Sequence, residues 1–254
     1  YPMPVERRAL LEASGVGSAV LRTMIDKGIF LEQERAVSRL RLYTGVTRQP
    51  HALDAQQQQA VSAIQQQWQD KQVTLLHGVT SSGKTEVYIH LIEQMLQQGK
   101  QVLYLVPEIA LTTQLTDRLQ AVFGERVVVY HSRFSNDERV EIYHELFRHP
   151  DAGLREPNHG NLILGARSAI FLPFTNLGLI IVDEEHEPSY KQQDPAPRYH
   201  ARSAAIMMAQ WYGAKVLLGT ATPSIESYYN AAIGKYGLVE MTERFRGLQL
   251  PKIT

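Results

Sequence analysis

Two kinds of segment alternate along most of this chain. After residue 72, short apolar runs recur, and most are followed by stretches with apolar residues at helical spacing. Continuous apolar runs predict strands buried on both faces, and their alternation with helices predicts a parallel sheet covered by helices. The predicted strands are 73–76, 102–106, 127–130, 162–164, 179–182 and 216–218. The predicted helices are 84–98, 110–123, 135–149 and 200–212.

The first 45 residues follow a different pattern. Apolar residues at helical spacing lie at 7–11 and 20–25, on either side of a glycine-containing turn. Gly28 would end the second helix, and residues 29–31 then predict a short strand. Helix, turn, helix and strand together predict a small winged-helix domain over 1–45. The alternative is a helical hairpin that only packs.

A linker and a polar helix come next. Residues 46–53 predict a linker, because Pro50 and several polar residues break the periodicity. Asp54 can cap a helix from residue 55 to about 69. Its glutamine runs suggest low complexity, but its apolar residues form one stripe and favour an amphipathic helix. We therefore predict an α/β lobe over 54–254.

The segment after the first predicted strand matches the phosphate-loop pattern G-x-x-x-x-G-K-[ST] and opens a predicted helix. Its residues are Gly78, Val79, Thr80, Ser81, Ser82, Gly83, Lys84 and Thr85. Backbone N–H groups there would form an anion cradle for ATP. Lys84 would bind the β and γ phosphates, and Thr85 would bind Mg²⁺. Ser81 stands where glycine is common, so the loop must tolerate a Cβ. The alternative is a glycine-rich turn that only starts a helix.

Three carboxylates follow the apolar run at 179–182, in the order Asp183, Glu184 and Glu185, with His186 next. In a parallel sheet, the carboxyl end of this strand lies on the same edge as the phosphate loop. Asp183 would bind Mg²⁺ through water, and Glu184 would orient the attacking water. The alternative, a solvated acidic turn, is disfavoured because the preceding strand is fully apolar.

Other segments at the ends of predicted strands suggest nucleic-acid contact. Thr220 and Thr222 could hydrogen-bond the acidic motif and a neighbouring domain. The segment that contains Arg167 resembles segments of superfamily 2 helicases that grip the backbone of single-stranded DNA. Residues 187–202 interleave aromatic and basic side chains, which suits base stacking and phosphate contact. The alternatives are ordinary loops with packed tyrosine rings. The candidates in this stretch are Tyr190, Lys191, Arg198, Tyr199 and Arg202.

Composition excludes some functions and supports none. Lys plus Arg and Asp plus Glu both number 26, so net charge gives no argument for nucleic acid or membrane. The absence of cysteine excludes disulfides and cysteine-bearing zinc sites. No run approaches the ~18 apolar residues of a membrane helix, so no membrane partner is expected. The chain does not begin with Met, and we expect a piece of a longer cytoplasmic protein.

Taken together, the motifs resemble the PriA family of bacterial replication-restart helicases, which belong to helicase superfamily 2. The segments that carry the resemblance are 78–88, 106–112, 130–132, 165–169, 183–186, 189–193, 198–202 and 219–223. Phosphate loops occur in many families, whereas Ser-Tyr-Lys-Gln-Gln at 189–193 and Arg-Tyr-His-Ala-Arg at 198–202 are particular to this one. The resemblance implies a RecA-like P-loop NTPase lobe, the first of two helicase lobes, preceded by a winged-helix domain.

The resemblance also implies an ATP-dependent 3′→5′ translocase on single-stranded and forked DNA, acting in replication restart and primosome assembly. Its implied partners are single-stranded-DNA-binding protein and other primosome proteins, and Gln57 matches the position that reads adenine. In the family, a second lobe supplies catalytic arginines and carries a zinc site. We therefore expect these 254 residues alone to hydrolyse ATP very slowly. The alternatives are a DNA-structure-binding adaptor without productive turnover and another superfamily 2 motor.

Overall fold

The computed structural model describes residues 5, 7–32, 43, 45–131, 134–147 and 160–243. The chain divides into two compact units, Tyr1–Arg39 and Leu40–Thr254. In the first unit, helix α1 (Arg7–Ser14) and helix α2 (Ser18–Asp26) lie on either side of a short turn. The two helices and the turn follow the predicted pattern.

The predicted strand at residues 29–31 is wrong, because these residues form a bend and an irregular segment. Gly28 has φ +70° and donates its N–H to the last turn of α2. The N–H of Ile29 donates to the carbonyl of Met24 at 2.9 Å. Because this N–H closes the end of the helix, it is not available to pair with a neighbouring strand. Residues 33–42 lie outside the described part, and the winged helix stays a prediction.

The second unit is built on a seven-stranded sheet in the order β3-β4-β2-β5-β6-β1-β7, and every neighbouring pair is parallel. The strands are β1 (Val73–Gly78), β2 (Gln101–Leu105), β3 (Val127–Tyr130), β4 (Leu162–Gly165), β5 (Leu177–Asp183), β6 (Lys215–Thr220) and β7 (Gly237–Met241). The helices are α3 (Ala55–Asp70), α4 (Lys84–Gln97), α5 (Thr113–Phe123), α6 (Asn136–Phe147), α7 (Ala201–Tyr212) and α8 (Ile225–Ala232).

Alternate strand residues supply two apolar cores, one on each face of the sheet. On β5, Leu179 and Ile181 pack with α3, α4 and α5, whereas Ile180 and Val182 pack with α6, α7 and α8. Burial on both faces explains the continuous apolar runs of the sequence. The predicted α/β lobe with a parallel, helix-covered sheet is confirmed.

Some elements differ from the prediction. The pattern missed α8 and the edge strand β7, which contains the exposed Glu240. The predicted helix at 110–123 splits into a 3₁₀ turn at Glu108–Ala110 and α5, because Thr112 caps α5 by accepting the N–H of Leu115. The end of the predicted helix at 135–149 lies beyond the described residues.

The predicted linker lies against the lobe. The N–H of Arg48 donates to the carbonyl of Ala121 at the end of α5, at 2.7 Å. Leu53 packs against the core under α3 and α4. Residues 45–53 therefore belong to the second compact unit.

Candidate nucleotide and nucleic-acid site

The segment between β1 and α4 has the backbone of a phosphate loop. β1 ends at Gly78, and α4 begins at Lys84 after Gly83, which has φ +83°. Ser81 is also left-handed, at φ +64°, a conformation that costs a residue with a Cβ about 1–3 kcal/mol. The surrounding loop therefore holds Ser81 where glycine would sit without strain.

Polar groups of this loop face its own backbone. Lys84 Nζ donates to the carbonyl of Gly78 at 2.7 Å. A Cβ added at Gly78 would lie 2.8 Å from Ser82 Oγ, so only glycine permits this approach. Ser82 Oγ is buried and has no hydrogen-bond partner in the part of the chain that the structure describes. Since such a group is costly to leave unpaired, the loop fits a polyphosphate that would supply acceptors.

Three donors hold Asp183, the last residue of β5. Its Oδ1 accepts from the hydroxyl of Tyr88 at 3.0 Å and from the backbone N–H of Glu184 at 3.1 Å. Its Oδ2 accepts from the hydroxyl of Tyr104 at 3.2 Å. Burial raises the pKa of Asp183, and the neighbouring Glu184 carboxylate raises it further. Burial also raises the pKa of both tyrosines well above the usual value, so their hydroxyls stay protonated. Asp183 is thus a partly buried carboxylate whose charge a cation would stabilise.

A chain of polar contacts joins the acidic motif to the surface. β6 lies between β1 and β5, so Thr220 at its end stands between the phosphate loop and the carboxylates. Thr220 Oγ1 donates to Glu184 Oε2 at 3.4 Å and lies 2.7 Å from Nδ1 of His186. Nε2 of His186 lies 3.2 Å from the hydroxyl of the exposed Thr222. Glu184 itself has φ +44°, a second strained residue at this site.

Glu185 is fully buried, and its carboxylate connects three elements. Oε1 accepts the N–H of Ser224 at 2.7 Å, and Oε2 accepts the hydroxyls of Ser224 and Ser227 at 3.0 and 2.9 Å. Arg202 donates to Oε2 at 2.5 Å, and 12% of the arginine side chain is exposed. The network joins the end of β5 to α7 and to the start of α8.

The segment at 187–200 forms a loop tied to its neighbours. Lys191 and His200 pair as an isolated antiparallel bridge, and Lys191 Nζ donates to the carbonyl of Arg198 at 3.0 Å. Arg167, after β4, donates to two backbone carbonyls of the loop at 3.1 and 3.2 Å. The loop is therefore held by the contacts of Lys191 with Arg198 and His200, and by the side chain of Arg167.

Three side chains predicted for DNA contact or coupling are inside the lobe. Tyr190 is 1% exposed, and its hydroxyl donates to the backbone carbonyls of Leu105 at 3.1 Å and Asp183 at 2.6 Å. Arg202 is occupied by the carboxylate network, and Thr220 is fully buried. Direct DNA contact does not fit Tyr190 or Arg202, because the tyrosine hydroxyl is buried and the guanidinium is bound to Glu185. Thr220 makes the predicted hydrogen bond to the acidic motif, at Glu184. Coupling is the role that fits their positions.

The remaining candidates are accessible to different degrees. Arg198 and Thr222 are exposed, whereas Arg167, Lys191 and Tyr199 are half-buried. Phe171 was not among the predicted nucleic-acid contacts. It is 62% exposed and lies edge-on to Tyr199, with ring centroids 4.7 Å apart. Phe171 belongs to an apolar stretch that predicts burial, so no signal in the sequence marked its exposure.

Gln57 lies beside the phosphate loop in a buried position. Its Oε1 accepts the N–H of Asp54 at 3.0 Å, and its own N–H donates to the Asp54 carboxylate at 2.8 Å. These reciprocal bonds form the capping box that starts α3. Nε2 donates to the carbonyl of Gly83 at 3.5 Å. The side chain connects α3 to the loop, and its contact with adenine stays a prediction.

This chain is similar to a helicase family model and to several curated proteins. The model of the DEAD/DEAH box helicase family matches residues 54–231. The chain belongs to the DEAD/DEAH box helicase family. Replication restart protein PriA of Bacillus subtilis (strain 168) is 39% identical over 249 residues, which cover 96% of this chain and 30% of that protein. PriA of Chlamydia muridarum (strain MoPn / Nigg) is 46% identical over 198 residues, which cover 77% of this chain and 25% of that protein.

The resemblance to PriA proteins that the motifs predict is confirmed by these relatives, of which the chain spans less than a third. Among solved structures, the DUF1998 helicase MrfA bound to DNA gives a TM-score of 0.52 at 18% identity. That match covers 76% of this chain and 27% of the other. At this identity it shows the shared helicase fold alone.

The described residues were also searched for clusters of metal ligands and for membrane-spanning helices. Within the described ranges, no group of three or more His, Asp or Glu side chains could hold a metal. No helix in the described part of the chain is long and apolar enough to cross a membrane.

Proposed function

We propose that this chain is an ATP-binding lobe of a DNA helicase that acts in replication restart. The observation that carries the proposal is the meeting of the phosphate loop, Asp183 and Glu184 at one edge of the sheet, where Thr220, on the strand between them, hydrogen-bonds to Glu184. The family match and the PriA relatives support the same function.

The contacts of each residue suggest its role. Lys84 would exchange the carbonyl of Gly78 for the β and γ phosphates of ATP. Thr85 and Asp183 would hold Mg²⁺, which neutralises phosphate charge when bound. Glu184 would orient the attacking water and accept its proton. Its bond to Thr220 fixes the carboxylate on the side of the phosphate loop.

Single-stranded DNA would bind at the surface beside the 187–200 loop. Phe171 offers an exposed ring for stacking, and Arg198 offers an exposed guanidinium for phosphate. A contact at Thr222 would reach Glu184 through the hydrogen bonds that link Thr222 to His186, His186 to Thr220, and Thr220 to Glu184. DNA binding could thereby influence hydrolysis.

The finer parts of the proposal rest on the PriA resemblance. They are 3′→5′ movement, a preference for forked DNA, and partnership with single-stranded-DNA-binding protein and other primosome proteins. Replication restart takes place on the bacterial chromosome, so the proposal implies a cytoplasmic protein.

The test measures ATP turnover with and without a short single-stranded oligonucleotide. In a protein that contains both helicase lobes, we expect strong stimulation by DNA that Lys84→Ala abolishes. The exposed Lys235, at the opposite edge of the sheet, gives the control variant Lys235→Ala, which should keep full activity. Residues 1–254 alone should turn over slowly, because the arginine of a second lobe is worth about 10³–10⁵ in rate. DNA binding without turnover in the two-lobe protein would favour the adaptor alternative.

A further inference from the structure

The phosphate loop and Asp183 lie on strands that are not neighbours. β6 separates β1 from β5, so a direct contact between α4 and Asp183 must cross β6. Tyr88, one turn into α4, makes this contact through its hydroxyl, which donates to Asp183 Oδ1 at 3.0 Å. The helix that the phosphate loop opens therefore touches the carboxylate directly.

Gly219 provides the space for this crossing. A Cβ at Gly219 would lie 1.7 Å from the hydroxyl oxygen of Tyr88 and 2.8 Å from its Cζ, closer than side-chain atoms approach. Gly219 is also in register with Asp183 across the β5–β6 pair. The strand thus lacks a side chain at the point where the tyrosine passes over it.

Tyr104 reaches the same carboxylate from the other side. It lies on β2, the other neighbour of β5, in register with Ile181. Ile181 and Asp183 share a face because strand side chains alternate. The rings of Tyr88 and Tyr104 are fully buried and pack edge to face, with centroids 5.6 Å apart. Packing leaves both hydroxyls little freedom to move.

The donors leave one position of the carboxylate available. An ionised carboxylate offers about four acceptor positions. Tyr88 and the N–H of Glu184 use two on Oδ1, and Tyr104 uses one on Oδ2. Among the described donors, one position on Oδ2 is therefore left for water. Neutral hydroxyls fix the orientation of the group without neutralising its charge.

We propose that Tyr88 and Tyr104 are positioning residues that hold Asp183 for a Mg²⁺–nucleotide complex, an inference that rests on the proposed function. Gly219 contributes to the same arrangement, because its lack of a side chain leaves room for the Tyr88 hydroxyl. Loss of the two hydroxyls should weaken the response to Mg²⁺ much more than the binding of the nucleotide itself.

The test is a Mg²⁺ titration of the 254-residue chain with a fixed concentration of a fluorescent N-methylanthraniloyl ADP. For the double variant Tyr88→Phe, Tyr104→Phe, we expect the half-saturating Mg²⁺ concentration to rise about tenfold, as for other partners of metal ligands. ADP affinity in EDTA should stay unchanged. The control is Tyr212→Phe, which loses a hydroxyl bond to the carbonyl of Phe174 away from the site.

The outcomes separate this inference from the proposed function. A wild-type chain that binds no analogue in Mg²⁺ contradicts the proposed function. A wild-type chain that responds to Mg²⁺, with a folded double variant that matches it, overturns the positioning role alone. If the double variant does not fold, Tyr104→Phe is measured instead. That single variant should shift the titration in the same direction, by less than the double variant, and no shift would overturn the inference.

Discussion

Asp183 and Glu185 lie two residues apart, the first partly and the second fully buried, yet they have different kinds of partner. Asp183 accepts from two tyrosine hydroxyls and one backbone N–H, on the α4 side of the sheet. Glu185 accepts from the guanidinium of Arg202 and from groups at the start of α8, on the other side. In a continuing strand, residues two apart share a face. The left-handed φ of Glu184 breaks that alternation and sends the two carboxylates in opposite directions.

The difference in partners separates a binding group from a structural one. Hydroxyls hold Asp183 without cancelling its charge, and burial raises its pKa. A bound cation would therefore be stabilised more by Asp183 than by Glu185. The charge of Glu185 already has a counterion in Arg202. An acidic run that looks uniform in sequence therefore contains a candidate magnesium group, a candidate water-orienting group and a structural group.

The largest expected effect comes from removing the counterion of Glu185. Arg202→Ala leaves the buried Glu185 carboxylate without its counterion, at a cost of about 3–5 kcal/mol. We expect the melting temperature to fall by about 10 °C or more. Arg198→Ala removes an exposed arginine nearby and should change it by no more than about 1 °C. Equal effects of the two variants would contradict the structural role of Glu185.

A smaller effect of opposite sign is expected at Asp183. Its pKa is raised in the folded protein, so the folded state binds more protons, and stability is lost as pH rises through the folded pKa. Asp183→Asn removes this penalty and should raise the melting temperature at pH 7.5.

Measurement at several pH values checks the sign of this effect. The gain should shrink as pH falls towards the ordinary aspartate value of 3.8, where the wild-type carboxyl becomes protonated in both states. Asp117→Asn, on an exposed part of α5, is the control. A gain that grows in acid would show that burial of charge is not the cause.

The smallest effect tests how the donors of Glu185 share its charge. Ser227→Ala removes one hydroxyl donor and leaves Arg202 and Ser224 in place. The expected cost is about 1 kcal/mol, or about 3 °C in melting temperature. Ser62→Ala removes an exposed hydroxyl on α3 and should cost less. A loss as large as that of Arg202→Ala would mean that the ion pair is not the main stabilising contact.

Local patterns predicted most of the fold. Six of the seven strands are apolar because both faces of the sheet are covered, and such runs are visible in a sequence. β7 and α8 lack this signal, because each exposes polar or aromatic side chains to solvent. The phosphate loop was visible because its glycines and lysine must occur at fixed spacing between a strand and a helix.

The partners within the site could not be predicted. Tyr88 and Tyr104 lie in apolar stretches that predict core packing, and only the strand order brings their hydroxyls to Asp183. The same holds for Arg202, whose basic character suggested DNA and whose position serves Glu185. The sequence shows directly which side chains carry a charge. Whether such a side chain is buried, and with what it pairs, depends on contacts between residues that are distant in sequence.

The most direct test compares the thermal response of Asp183→Asn and Glu185→Gln to Mg²⁺–ADP. A ligand at about 100 times its Kd adds about 2.7 kcal/mol to the wild-type stability. We expect Glu185→Gln to melt at a lower temperature but to keep the Mg²⁺-dependent rise. We expect Asp183→Asn to melt at a higher temperature and to lose that rise. The reverse assignment, with the rise lost in Glu185→Gln and kept in Asp183→Asn, would contradict the division between the two carboxylates.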